Sequence, residues 1–291
     1  MSTSRLAAAR SALRDSLLGA SPVGAHATHG AGQPGVTGLL DVAGSVASWG
    51  PPAPRALPSL HAVLSIGLLG AIRSERDDRA GGEVWLSGVA TRPCGYELPA
   101  ELHAVIVLLD PWAIPAWFGI DAGSLVDRRI DLRDAIGAAP VARLLSAVRC
   151  AGTPHGRLLS VRRWVAALPP RAATPAPLRD ARLAERDAAG LARALGVSLR
   201  QSERLLLRHH GVTLREMKSI RRFQRALERF EHDLSWAALS VDAGFADQSH
   251  LCRAVRRYAG MTPAALRGAA GASLIAPLYQ PLGCRDRFVA I

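Results

Sequence analysis

Arg204 and Arg253 stand 49 residues apart, each inside a stretch with the same punctuation. The upstream stretch reads GVSLRQSERLLLRHHGVT (196–213) and the downstream one GFADQSHLCRAVRRYAGMTP (244–263). At that constant offset Ser198 maps to Asp247, Leu206 to Val255, Arg208 to Arg257, Gly211 to Gly260 and Thr213 to Thr262. An arginine on an exposed helix face can donate two hydrogen bonds to guanine O6 and N7, or hold a phosphate. In the downstream stretch Ser249, Cys252, Arg253 and Arg256 follow i, i+3, i+4, i+7 spacing. Leu251, Ala254, Val255 and Tyr258 follow the same spacing on the other side, which predicts a core-facing stripe behind a groove-facing one. The upstream polar stripe is Arg200, Glu203, Arg204 and Leu207. There Glu203 could accept from a cytosine amine or pair with an arginine of its own helix. Leu207 could touch a thymine methyl or simply be a surface leucine.

The elements that must position these stripes can be read from start and stop signals. Ser198 and Asp247 are good N-caps, because their side-chain oxygens can accept from amides of the first turn. Gln201 completes a capping-box pattern with Ser198. Gly211 and Gly260 suit the left-handed residue that ends a helix. Thr213, with Glu216 three residues on, and Thr262, followed by Pro263, would each cap the next helix. A short helix and a glycine-containing turn precede each unit, GLARALGVS (190–198) and SWAALSVDAGFAD (235–247). Helix, tight turn and second helix make a helix-turn-helix, here twice. Residues 215–231 between the units lack proline and glycine, and predict roughly 25 Å of connecting helix. Such a strut could hold two reading helices in successive major grooves, about 34 Å apart.

Charge supports a polyanionic partner and also locates it. The 291 residues carry a formal net charge of +12, with a pI near 11. Nearly all of the basic residues are arginine, Lys218 being the single lysine, and a GC-rich genome could produce that bias without function. Residues 181–270, however, hold 16 Lys/Arg against 9 Asp/Glu, so +7 of the charge falls on the doubled unit. Cys94, Cys150, Cys252 and Cys284 are far apart, which argues against a zinc site and against a disulfide framework. His209 and His210 are adjacent and cannot share one helix face, and no HExxH pattern occurs. No GxSxG, phosphate loop or paired-carboxylate arrangement is present either, so no catalytic residue, metal or cofactor is expected. The longest apolar runs, LSIGLLGAI (64–72) and AVIVLL (104–109), are strand-sized, far short of a membrane span. The N-terminus lacks the uninterrupted apolar region of a secretory signal, so a cytoplasmic protein is expected.

The fold class expected is α+β in two domains. Residues 1–37 read as a flexible tail, its last part a Gly/Ala/His-rich connector. Short apolar runs from 38 to 111 predict an antiparallel sheet or small barrel, followed by helical patterns at 112–120, 124–137, 141–150 and 157–168. The β-rich domain with its trailing helices thus spans 38–168. Four prolines in PPRAATPAPLR (169–179) mark a linker, 180–268 reads as all-α, and 269–291 as a tail. Trp85, Trp112, Trp117 and Tyr96 could line a ligand pocket or simply pack a core.

With these motifs in place, residues 185–268 resemble the AraC/XylS family of bacterial transcription regulators, most closely in GFADQSHLCRAVRRYAGMTP. The resemblance implies two recognition helices, about 199–210 and 248–259, in adjacent major grooves. Matched position by position, DNA contacts would fall on Arg200, Glu203, Arg204, Gln248, Ser249, His250 and Arg253, to which the groove-facing stripe adds Arg256. Ser202 stands where the family usually has a core leucine, and Leu207 where it usually has a polar residue. The segments LSGVATRPCGYELPAE and DPWAIPAWFGIDAGSLVDRRIDLRDAIG are similar to a β-rich sensory or dimerising domain fused to one branch of this family. Partners so implied are double-stranded promoter DNA, RNA polymerase, a small-molecule effector and a second copy of the chain, with no membrane. Two other readings stay open. One is a non-specific architectural nucleic-acid binder, which needs only basic charge. The other is a DNA-repair methyl acceptor fused to the same module, for which Cys94 would need a zinc-binding cysteine cluster around it.

Overall fold

The structure is a computed structural model, which describes residues 23–29, 33–45, 55–75, 82–97, 99–229 and 235–270. The expected tails therefore lie outside the described residues over 1–22 and 271–291, and so does Cys284.

The sheet is built around one strand. The run ELHAVIVLL forms β8 (Glu101–Leu109), whose side chains from Ala104 to Leu109 are all buried. A short continuous apolar run bounded by polar residues is what a strand covered on both faces looks like. Before it in the chain come β1 (Val23–His29), β2 (Val36–Ser45), β3 (Arg55–Ala56), β4 (Ala62–Leu69), β5 (Arg73–Ser74), β6 (Val84–Ser87) and β7 (Cys94–Glu97), and after it β9 (Arg129–Asp131). Six of them make one antiparallel sheet in the order β1-β2-β8-β4-β6-β9. The short strands make a second sheet in the order β3-β7-β5. In β4 the buried Ala62, Leu64 and Ile66 alternate with half-buried neighbours, the period-2 pattern of a strand with one core face.

A layer of helices covers the large sheet: α1 (Leu132–Ile136), α2 (Ala138–Cys150) and α3 (Pro154–Ala166). Val141, Leu144 and Val148 of α2 and Leu158, Val161 and Val165 of α3 join Leu39, Leu64, Val105 and Val107 in one core. One buried carboxylate pins this layer down. Asp41 of β2 is 2% exposed and accepts hydrogen bonds from Arg157 of α3 and, at 2.9 Å, from His103 of β8. A charge so buried is tolerated only when paired in this way.

Three expectations need correction. The stretch 20–37 is not simply a connector, because β1 pairs along its whole length with β2, from Val23↔Gly44 to His29↔Gly38. A ladder uses backbone groups, so a Gly/Ala/His composition does not forbid it. The helical pattern at 124–137 is broken, with a turn of 3₁₀ helix at Ala122–Leu125, then β9, then α1. Asp127 breaks it by taking a left-handed conformation (φ 56°) that lets its carboxylate accept from Thr91 N and Oγ1 at 2.8 and 2.6 Å. The proline-rich 169–179 is docked along much of its length. Arg171 N donates to Ala116 O at 2.7 Å, and Ala176–Arg179 forms a 3₁₀ turn that buries Leu178 completely.

The helical part contains α4 (Ala188–Leu195), α5 (Leu199–His210), α6 (Leu214–Arg229), α7 (Trp236–Asp242), α8 (Gln248–Ala259) and α9 (Pro263–Ala270). Two apolar clusters hold it. Leu183, Leu191, Leu206, Val212 and Met217 form one, and Phe223, Leu239, Leu251, Val255, Tyr258 and Leu266 belong to the other. Each cluster also contains one buried residue of the β-rich part, Val89 in the first and Leu57 in the second, and the half-buried Leu60 packs against both.

Candidate nucleic-acid interface

Both candidate reading helices are fixed at their ends by the residues that punctuate the sequence. Ser198 Oγ accepts from Gln201 N while the Gln201 side chain accepts from Ser198 N, a complete capping box for α5. Asp247 accepts from His250 N at 2.6 Å to start α8. Gly211 (φ 77°) and Gly260 (φ 72°) end the two helices in the left-handed region. Thr213 Oγ1 then accepts from Glu216 N, and Thr262 Oγ1 from Ala265 N, so each following helix is capped as well.

Behind these ends, one face of each helix is committed to packing. On α8, Leu251, Val255 and Tyr258 are fully buried and Ala254 nearly so, with the Tyr258 ring 5.2 Å from Phe223 of α6. On α5 Leu206, aligned with Val255, is buried in the same way, but other equivalent positions are filled differently. Ser202, aligned with Leu251, is buried and donates its hydroxyl to Leu199 O at 2.8 Å. His209, aligned with Tyr258, is buried and bonds Thr174 Oγ1 through Nδ1 at 3.3 Å. His210 Nε2 donates to Leu178 O at 2.7 Å, and burial pulls its pKa down to about 4. Burial lowers His209 as well, with Arg208 adding to the effect. The first unit thus relies on hydroxyl and imidazole hydrogen bonds where the second uses hydrocarbon.

The opposite faces are open. Arg200, Glu203 and Arg204 are exposed on α5, as are Gln248, Ser249, Arg253 and Arg256 on α8. Among the described residues none of these four arginines has a carboxylate partner, and the Glu203 carboxylate has no partner either. The pairing of Glu203 with an arginine of its own helix, left open by the sequence, is not formed. Arg257 differs from its neighbours. It donates to Glu216 of α6 at 3.0 Å and lies over the Tyr258 ring, so it braces α8 against the connecting helix. His250 is half-buried, its ring edge-on to Phe245 at 5.1 Å and its Nδ1 accepting from Ala246 N at 3.4 Å. That bond puts the neutral ring's proton on Nε2 and ties His250 to the turn.

Leu207 is 37% exposed, and its backbone carbonyl closes over the 121–126 segment, where a Cβ on Gly123 would lie 3.3 Å from it. Sequence reasoning missed this contact and the buried roles of His209 and His210. The signal available was the mapping of His209 onto Tyr258, a core position in the second unit.

Residues 191–269 match the family model of a helix-turn-helix domain, of the AraC type. The match supports a DNA-binding helix-turn-helix of the AraC type over these residues. The match begins within α4 and ends within α9, so it takes in both capped units and the connecting helix. Comparisons with curated proteins and with solved structures find no match.

The remaining candidate chemistry is placed as follows. Cys94 is buried in β7 with its thiol 3.1 Å from Ser74 Oγ. Among the described residues no group of three His, Cys, Asp or Glu side chains could hold a metal ion. No described helix is long and apolar enough to cross a membrane. The four aromatics do not converge. Trp85 lies under Arg129, Tyr96 sits in the small sheet, and Trp112 and Trp117 meet edge-on at 6.3 Å.

Proposed function

We propose that the protein is a sequence-specific transcription regulator that places α5 and α8 in adjacent major grooves of promoter DNA. The observation that carries this reading is a pair of capped helices, 49 residues apart, each with a buried stripe behind and unpaired arginines in front. The 16 residues of α6 supply roughly 24 Å of separation between them, suited to two grooves on one face of the duplex. In this reading Arg204 and Arg253 read bases, while Arg200, Gln248, Ser249 and Arg256 contact base edges or phosphates. Glu203 is free to accept from a cytosine amine, and His250 contributes through the turn it closes. The β-rich part is the sensing or dimerising domain. RNA polymerase, an effector and a second copy of the chain are the further partners, and the cytoplasm is the site of action.

Nuclease footprinting of the full chain on genomic fragments tests this. A discrete protected site of about two helical turns per chain is the expected result. Uniform coverage at all sequences would replace specific reading with architectural binding.

A further inference from the structure

The two helix-turn-helix units are packed around separate apolar clusters that share no buried residue. Along α6 the buried stripe passes from the first cluster at Met217 to the second at Ile220. Residues 57–60 of the β-rich part, LPSL, reach that junction. Leu57 is buried in the second cluster, the half-buried Leu60 packs against both, and Pro58 O accepts from Nε2 of the buried Gln224 on α6 at 3.4 Å. The segment is anchored in the β-rich part on both sides. β3 pairs with β7 just before it, and β4 begins just after it with Ala62 paired to Leu109. Ser59 bridges Ala90, its N donating to Ala90 O at 3.0 Å, and the adjacent Val89 is buried in the first cluster. The Arg257–Glu216 ion pair also ties the second unit to the start of α6, but its arginine is exposed and such pairs hold geometry weakly.

We infer that Leu60, seated with Leu57 and Pro58 against both units, is a positioning residue that fixes the rotation of one reading helix relative to the other. It thereby makes the protein selective for the spacing of its two half-sites. This rests on the reading above that α5 and α8 enter adjacent grooves. The length of α6 sets how far apart the units lie, but the roll of each unit about that helix is set by packing alone. A side chain wedged against both clusters, on a segment held at each end by a sheet, removes that freedom. One base pair inserted between the half-sites moves the second by about 3.4 Å and turns it by roughly 34°. Two heads locked together cannot follow that turn without opening a close-packed contact. The β-rich part thus helps choose which sites are read, through packing.

Two measurements on the full chain test this, one with DNA and one without. Binding to the footprinted site is compared with binding to versions carrying one base pair more or fewer between the half-sites. The wild type should lose at least about tenfold on either change, and Leu60→Ala less than about threefold, while keeping its discrimination at the base read by Arg253. Leu60 is only half-buried, so the variant should keep the fold, which circular dichroism can verify. Gln224→Leu, which removes the bond to Pro58 O at similar side-chain volume, should relax the spacing in the same direction. Without DNA, spin labels carried by unnatural amino acids at the exposed positions 200 and 256 should give a narrow distance distribution in the wild type and a broader one in each variant. A wild type indifferent to spacing, an equal spacing penalty in the wild type and both variants, or equal distance distributions would each overturn the assignment. The lack of any discrete protected site would instead sink the two-groove reading, and the label distances would still decide whether Leu60 locks the units.

Discussion

At the scale of single residues, two arginines of the same helix show how context divides equal charges into different tasks. Arg257 is held by Glu216, whereas Arg253, four positions earlier, is exposed and unpaired among the described residues. On the reading proposed here, Arg253→Ala should cost about 1–3 kcal/mol at one base position and leave preferences elsewhere unchanged. Competition binding with single-base variants of the protected site measures this, and an equal loss on every sequence would make Arg253 a phosphate contact. His210 gives a residue-scale prediction of a different kind. Its folded pKa, about 4, lies below the ordinary value of 6.5, so the folded form holds the ring neutral. The unfolded chain takes up the proton first as pH falls. The His210 contribution is therefore fully present above pH 6.5 and is lost progressively as pH drops toward 4. The loss amounts to roughly 3 kcal/mol. Urea denaturation at pH 7.5 and 5 should show the drop, and His210→Gln, which keeps a donor for Leu178 O, should flatten it.

At the scale of elements, two glycines that look alike in sequence face different surroundings. Gly196 ends α4 and Gly211 ends α5, both with positive φ. A Cβ on Gly196 would meet nothing within 4 Å, so Gly196→Ala should cost only the backbone strain, roughly 1–2 kcal/mol. On Gly211 it would lie 2.7 Å from Val126 Cγ2 and 3.0 Å from Ala122 O. Gly211→Ala must therefore bear the same strain and also push α5 away from the 122–126 segment. Thermal unfolding of the two variants should separate them, with Gly211→Ala the less stable. Equal melting points would mean that α5 does not rest on that segment.

At the scale of the whole molecule, the β-rich part and the DNA-binding domain share hydrophobic clusters. Leu57, 1% exposed, belongs to the same cluster as Phe223, Val255 and Tyr258, and Gln224 Nε2 donates to Pro58 O at 3.4 Å beside it. Leu57→Ala should destabilise by roughly 2–5 kcal/mol, as deletions of buried leucine side chains do. The effect should surface remotely. Amide exchange should accelerate in α6 and α8 more than in the large sheet, and unchanged protection in those helices would contradict the docking.

The sequence by itself determined the doubled unit, because caps, stop glycines and the 3.6-residue stripe are local signals that backbone geometry reads directly. It likewise determined β2, β4, β6 and β8 of the large sheet and the helices at 141–150 and 157–168, whose apolar periods are strong. Only the tertiary structure decided that Val23–His29 is a strand, since its pairing with β2 depends on backbone groups that composition conceals. The same holds for the proline run, where one buried leucine, Leu178, docks a stretch that local signals mark as free. A small cleft beside the end of α3, lined by Trp117, Pro140, Arg143, Trp164 and Arg171 among others, draws on residues from 117 to 171. No local pattern spans that distance, because it is the packing of α2 and α3 on the sheet that brings those side chains to one place.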